Sequence, residues 1–362
     1  MKNFLFTADV HLKSWNDNIY TDEGISLKLS EILQCVTDMC EYAEENNIKD
    51  IIIGGDLNDT KGIVNVSSFV KFKEIIEKYK NLTFHIIPGN HDYAGRASQT
   101  FAVELLSGVS NINIYTEKTV LDYITLLPWS DQDLVSKVND LKENRIFISH
   151  FGLDEAQLSS GISIRSGISA NMLAKFEVSL LGHYHKPQEL KVGDSRIIYS
   201  GSLIPLRRDE INENKRFLHV EVGDEIDIKY IPTKGYRNYY EFVLEEDTDI
   251  DEVLEKIEEL KNENNYVLLK DNRKKIDSKT KNILDQVQYI HQYEEEFESR
   301  GITTNMELKE QLNKWCTIKN IPENEVDEYV EIGLKYALSE ETIPNETLTE
   351  DKEVFDEEFF EF

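Results

Sequence analysis

Five short stretches of this sequence carry side chains able to bind metals: Asp9 with His11, Asp56 after Gly54-Gly55, Asn90-His91-Asp92, His150, and His183 with His185. Each follows an apolar run that reads as a β-strand, and five of the eight histidines fall at these strand ends. Asp9 and His11 are two residues apart, so an extended strand end would point both to one side, and the same holds for His183 and His185. Gly54 and Gly55 allow a sharp turn beside Asp56. Mixed carboxylate, imidazole and amide donors suit borderline divalent ions such as Mn²⁺, and Fe or Zn less decisively. Two such ions about 3.5–4 Å apart are suited to in-line displacement at phosphorus, and a shared carboxylate is needed to bring them that close. Asp56 is the candidate bridge, lying between the other groups in chain order. Any one of these stretches alone would be a turn or cap more often than a ligand. Five together at strand ends are not explained by packing, whereas His85, His219 and His291 read as structural.

The elements that must position these residues repeat one unit, a short strand followed by a helix. Strands are predicted at Phe4–Thr7, Ile51–Ile53, Phe84–Ile87, Ile146–Ile148 and Val178–Leu181. Ile25, Leu29, Ile32, Leu33, Val36, Met39 and Ala43 recur at helical spacing, and a second helix carries Phe69, Phe72, Ile76 and Tyr79. From Arg196 to Ile231 the pattern turns to successive strands. The expected fold class is therefore α/β (α+β), a two-layer mixed β-sandwich flanked by helices. Turn chemistry near Pro232–Tyr236 marks a boundary. A strand, helix, strand piece follows, and helical stripes are predicted around Ile283–Ile290 and Leu308–Leu338. The expected divisions are residues 1–233, 234–277, 278–340 and an acidic, flexible tail at 341–362 studded with Phe355, Phe359, Phe360 and Phe362.

With 362 residues, 40% hydrophobic and 30% charged, the chain suits a globular protein with a large core. No apolar run approaches the ~20 residues of a membrane span, and the N-terminus turns polar too soon for a signal peptide, so a cytoplasmic location is expected. Cys35, Cys40 and Cys316 form no CxxC pair and read as buried thiols. The net charge of −29 runs against the basic footprint of a nucleic-acid enzyme. Most of it sits late, with 35 acidic and 16 basic residues from Lys234 onward. Phosphate contacts must then fall to metals, a partner or a local patch such as Arg273, Lys274 and Lys275.

Taken together, Asp9-x-His11, Gly55-Asp56-x-x-Asp59, Gly89-Asn90-His91-Asp92, Ser149-His150 and Gly182-His183-x-His185 resemble the calcineurin-like metallophosphoesterases. Within them the sequence is most similar to the SbcD-type nuclease subunit of double-strand-break repair, cellular or phage-encoded, over residues 1–233. The resemblance implies one metal on Asp9, His11, Asp56 and His185, and a second on Asp56, Asn90, His150 and His183. It implies that His91 contacts the scissile phosphate, as general acid or electrostatic stabiliser. Asp59 and Asp92 are candidate supports for the ligands. The protein phosphatases of the superfamily follow this aspartate with Arg-Gly, where this chain has Thr60-Lys61, which argues against a phosphoprotein substrate. The resemblance further implies Mn²⁺-dependent exonuclease and endonuclease activity on DNA, a small α/β cap, a helical segment docking on an SbcC-type coiled-coil ABC ATPase, and a homodimer within a heterotetramer. A small-molecule or cyclic-nucleotide phosphodiesterase shares the same core motifs, and a catalytically idle scaffold is the reading from outside the enzymes.

Overall fold

The computed structural model describes residues 2–15, 20–95, 100–211, 213–245, 247–262, 265–271, 288–291, 308–319, 321–322 and 325–337. Its apolar runs are strands because both of their faces are buried. Phe4 and Phe6 of β1 (Asn3–Thr7) turn to one apolar layer and Leu5 to another, and Ile52 alternates with Ile51 and Ile53 in β2 (Asp50–Gly54) in the same way. These two strands pair in parallel with each other, β2 with β3 (Thr83–Ile87), and β3 with β4 (Ile112–Ile114). Strands β11 (Arg216–Val222) and β12 (Ile226–Pro232) return antiparallel beside β1, completing a six-stranded sheet. A second six-stranded sheet has the order β5 (Thr119–Leu121), β6 (Ile124–Leu127), β7 (Asn144–His150), β8 (Phe176–Gly182), β10 (Ser195–Tyr199), β9 (Gln188–Val192).

One apolar layer, with Phe4, Phe6, Ile52, Ile146, Ile148, Val178 and Leu180, draws on both sheets. The outer face of the first sheet packs under α1 (Leu27–Glu45) and α2 (Val66–Lys78), the helices expected from the 3.6-residue pattern. Side chains cap both helices, Ser26 accepting from Leu29 N at 3.4 Å and Asn65 from Ser68 N at 2.9 Å. The short α3 (Leu134–Asn139) places Val138 in the outer layer of the second sheet. This is the expected two-layer mixed architecture.

The strand, helix, strand piece is β13 (Tyr239–Leu244), α4 (Ile250–Asn262) and β14 (Tyr266–Asp271), all within the compact unit Met1–His291. The helix expected around Ile283–Ile290 needs correction where it is described. Gln288–His291 is strand β15, parallel to β14 with Leu269 opposite Tyr289. A short apolar run carries both periods, and an open sheet edge decides for the strand. In the second unit, Gln292–Phe362, α5 (Leu308–Ile318) and α6 (Val326–Ala337) bury Leu312, Trp315, Cys316, Tyr329 and Val330. Pro322 falls between them, where it cannot extend a helix. Arg273, Lys274, Lys275 and the tail 341–362 lie outside the described residues. Cys35 and Cys40 are buried free thiols, both pushed up to about 12 by burial. Among the described residues no helix is long and apolar enough to cross a membrane.

Two buried polar links tie the start of β13 and the residues just before it to α1. Glu31 of α1 accepts from Arg237 Nε at 2.7 Å and from Arg237 N at 3.2 Å. Lys28 Nζ donates to Leu206 O at 2.8 Å and to Tyr239 Oη at 3.2 Å. Glu31→Ala strips a buried guanidinium of its carboxylate and is expected to cost about 3–5 kcal/mol. The check is a urea unfolding midpoint lowered without a change of slope. A midpoint equal to that of the wild type would mean that the pair contributes nothing net.

Candidate metal centre

The chain ends of β1, β2, β3, β7 and β8 come together because the two sheets touch there. His150, the last residue of β7, pairs with Gly182, the last of β8, and its Nδ1 lies 2.8 Å from Gly54 O at the end of β2. Beyond β1 and β2 the backbones stay laced, with Asp9 N donating to Gly55 O at 3.0 Å, His11 N to Asp56 O at 3.0 Å and Leu12 N to Leu57 O at 2.8 Å. Held this way, Asp9, His11 and Asp56 have φ of 54°, 53° and 51°, and His183 has φ of 101°. L-residues avoid this left-handed region at roughly 1–2 kcal/mol each. Strain of this kind gathers at functional sites, where the surrounding structure enforces it. The expectation of extended strand ends is therefore corrected. A left-handed turn, not strand alternation, brings Asp9 and His11 together, and His183 and His185 diverge to two different groups of donors.

In the first group, ligand atoms of Asp9, His11 and His185 lie within 4.8 Å of one another, and the Nε2 atoms of His11 and His185 face each other at 3.0 Å. In the second, Asp56 Oδ2 lies 3.0 Å from His150 Nε2, with Asp9 again within 4.8 Å of both. Asn90 Oδ1 and His183 Nδ1 are 3.0 Å apart, and the His183 ring stands 5.5 Å from that of His150. Asp56 Oδ2 is also 3.9 Å from His11 Nε2, so both aspartates stand between the groups. The structure thus brings together Asp9, His11, Asp56, Asn90, His150, His183 and His185. His91 stands at the edge, its ring 5.1 Å from that of His11 and its main-chain N donating to Asp56 Oδ1 at 2.8 Å.

The back nitrogens of four imidazoles are occupied, which turns the other nitrogen toward the site. His11 Nδ1 faces Asp59 Oδ1 at 3.3 Å, His185 Nδ1 meets Glu210 Oε1 at 2.8 Å, His150 Nδ1 meets Gly54 O, and His91 Nδ1 meets Asp59 O. The buried charges act on one another. Burial pulls the His150 imidazole down, but the Asp56 and Asp9 carboxylates raise it to about 9. Burial pushes Asp56 up, yet His150, His91 and His11 hold it far below the usual carboxylate range. His11 is lowered chiefly by burial, whereas Glu210 overcomes burial to raise His185.

These residues fit divalent cations. His150 Nε2 is buried without an aligned hydrogen bond, and two Nε2 atoms aimed at each other at 3.0 Å beside a carboxylate describe a cation's surroundings. The backbone also clears space for the ligands. A Cβ on Gly89 would stand 2.1 Å from Asp56 Oδ1, and one on Gly55 or Gly182 would stand 2.3 or 2.6 Å from His150 Nδ1. Bound there, such ions would polarise a phosphoryl oxygen and activate water.

Residues 2–187 match the family model described as calcineurin-like phosphoesterase, a span that includes all seven converging residues and His91. The chain belongs to the calcineurin-like phosphoesterases. Members of this family are hydrolases that use divalent metals, in keeping with the donor set of this phosphoesterase. No curated protein matches the chain. Among solved structures it is similar to a dimetal phosphatase from Danio rerio at 10% identity and TM-score 0.42, covering 64% of this chain and 96% of that one. It is also similar to an archaeal phosphodiesterase at 13% identity and TM-score 0.33, covering 63% and 99% of the two chains. A third, a predicted phosphoesterase from Streptococcus pneumoniae, gives 13% identity and TM-score 0.29, with 64% and 89% covered.

Two supports anticipated from the motifs take distinct places in this phosphoesterase. Asp59 faces His11 with one oxygen and Lys13 Nζ with the other at 2.7 Å. Asp92 is only 1% exposed and accepts from Asn58 N and Gly89 N, both at 2.8 Å, and from Leu57 N at 3.3 Å. Burial and the Asp56 charge push its carboxyl up to about 7, and its place is that of a brace between the loops after β2 and β3. Glu210 and Lys215 were missed, since Arg207-Arg208-Asp209-Glu210-Ile211-Asn212-Glu213 reads as a solvated, charged turn. The one available signal was Glu210 five residues before a lysine that immediately precedes a strand.

Proposed function

We propose that this phosphoesterase is a two-Mn²⁺ phosphodiesterase that cleaves DNA, acting as the nuclease subunit beside an SbcC-type ABC ATPase. The observation that carries the two-metal reading is the pair of donor groups with Asp9 and Asp56 between them. Asp9, His11, Asp56 and His185 would hold one ion, and Asp56, Asn90, His150 and His183 the other. His91 would meet the phosphate. Support for a polymeric substrate comes from the surroundings. Lys13, paired with Asp59 at 2.7 Å, and Lys61, over the Trp129 ring at 5.3 Å, lie on loops leading from the site and are cations a phosphate backbone could meet. The loop bearing Leu206 and Arg207 is joined through Lys28 to Tyr239 at the start of the α/β piece, which is in keeping with a cap beside the site. Thr60-Lys61 in place of Arg-Gly weighs against a phosphoprotein.

The test compares full-length protein with Mn²⁺ on linear duplex DNA, on bis(p-nitrophenyl) phosphate and on cyclic nucleotides, with and without the ATPase partner. Metal-dependent cleavage of DNA, faster with the partner and ATP, is expected. Intact DNA alongside rapid hydrolysis of a cyclic nucleotide would replace this reading with the small-molecule one. No turnover of any substrate would leave the idle scaffold.

A further inference from the structure

We propose that Glu210 and Lys215 form a positioning pair for His185, setting the reach of this imidazole toward the cation it shares with Asp9 and His11. Both side chains are 1% exposed. Glu210 Oε1 accepts from His185 Nδ1 at 2.8 Å and from Arg207 N at 3.1 Å. Its Oε2 accepts from Lys215 Nζ at 2.5 Å, Leu206 N at 3.0 Å and Ser202 Oγ at 3.3 Å. Lys215 Nζ in turn donates to His185 O at 2.9 Å and to Glu213 Oε2 at 2.7 Å. His185 is therefore gripped twice by the same pair, at its ring and at its carbonyl.

A buried ion pair is a poor device for stability alone, because desolvation offsets much of the attraction and apolar residues of similar volume do as well. What an apolar pair cannot supply is an acceptor for Nδ1 and a donor for the carbonyl of the same residue. Fixing Nδ1 fixes the ring plane and leaves Nε2 facing His11 Nε2. The carboxylate also raises the basicity of the imidazole toward a metal. Glu210 thus does for His185 what Asp59, with Lys13 as its cation, does for His11. His150 Nδ1 faces the neutral Gly54 carbonyl rather than a carboxylate, so loss of either carboxylate should touch one cation and spare the other.

This inference rests on the two-cation reading above, and the test separates the two. Mn²⁺ binding to the full-length protein is followed by the spectroscopic signal of free Mn²⁺, for the wild type, Glu210→Gln, His185→Gln and the double variant. Far-UV circular dichroism is recorded on each. Glutamine keeps size and an acceptor but loses the charge. Expected are two ions in the wild type, one of them bound about 10–100-fold more weakly in Glu210→Gln, and no further loss when Glu210→Gln is added to His185→Gln. Wild-type binding in Glu210→Gln overturns the proposal, as does full additivity in the double variant. A collapse of the dichroism of Glu210→Gln also overturns it, since the residue would then be a brace of the fold. Fewer than two ions in the wild type removes the two-cation reading itself, a failure visible without any variant.

Discussion

Asp56→Ala is expected to bind no pair of Mn²⁺ ions and to lose phosphodiester hydrolysis by ~10⁴-fold or more, on the order of 5.5 kcal/mol of barrier. Asp56 is 2% exposed and offers Oδ2 to the second donor group at 3.0 Å from His150 Nε2, while standing 3.9 Å from His11 Nε2 of the first. Alanine removes the negative charge that three neighbouring histidines already compete for. Those imidazoles then face incoming dications with one carboxylate fewer, so each ion meets both a missing ligand and added repulsion. Asp56→Asn separates the two effects, because it restores an oxygen donor without the charge, and should recover part of the affinity but little of the rate. Equilibrium dialysis with metal analysis reads the bound ions, and steady-state hydrolysis reads the rate. Two ions held at wild-type affinity in Asp56→Ala would falsify the shared-carboxylate reading.

What the sequence made legible was the chemistry and the scaffold beneath it. Strands buried on both faces leave continuous apolar runs, and side chains such as Asp56 or His150 have few reasons to end such runs unless they serve a site. What stayed hidden depends on distant partners. Glu210 lies 25 residues from His185 and inside a run of charges, and only the folded loop shows that its carboxylate is buried. The left-handed backbone at Asp9 and His11 is imposed by lacing to the loop after β2, an interaction across more than forty residues that no local pattern reports. The same holds for the divergence of His183 from His185. Once His183 takes φ of 101°, the two-residue spacing no longer means one side. At Gln288–His291 a short run fitted both periods, and a vacant edge beside β14 settled it.

His91→Ala separates binding from chemistry, because the contact that ties residue 91 to the cation site is made by its main chain. His91 N donates to Asp56 Oδ1 at 2.8 Å whatever the side chain, so Asp56 keeps its place and Mn²⁺ binding should change little. What disappears is the imidazole, whose Nδ1 meets the Asp59 carbonyl and whose other nitrogen is left for a phosphate oxygen. In its proposed role as proton donor or charge stabiliser to the departing oxygen, that group would be worth about 10²–10⁴-fold in rate. The loss should appear in kcat, with KM moving little, since the interaction strengthens only as charge develops. Leaving-group dependence gives the sharper reading. DNA expels a poor alkoxide leaving group and needs the imidazole most, whereas p-nitrophenolate departs with little help. His91→Ala should therefore cripple DNA cleavage while slowing bis(p-nitrophenyl) phosphate hydrolysis far less. An equal loss on both substrates would place His91 in holding the phosphate before reaction, and an equal loss accompanied by weaker Mn²⁺ binding would place it among the supports of the metals.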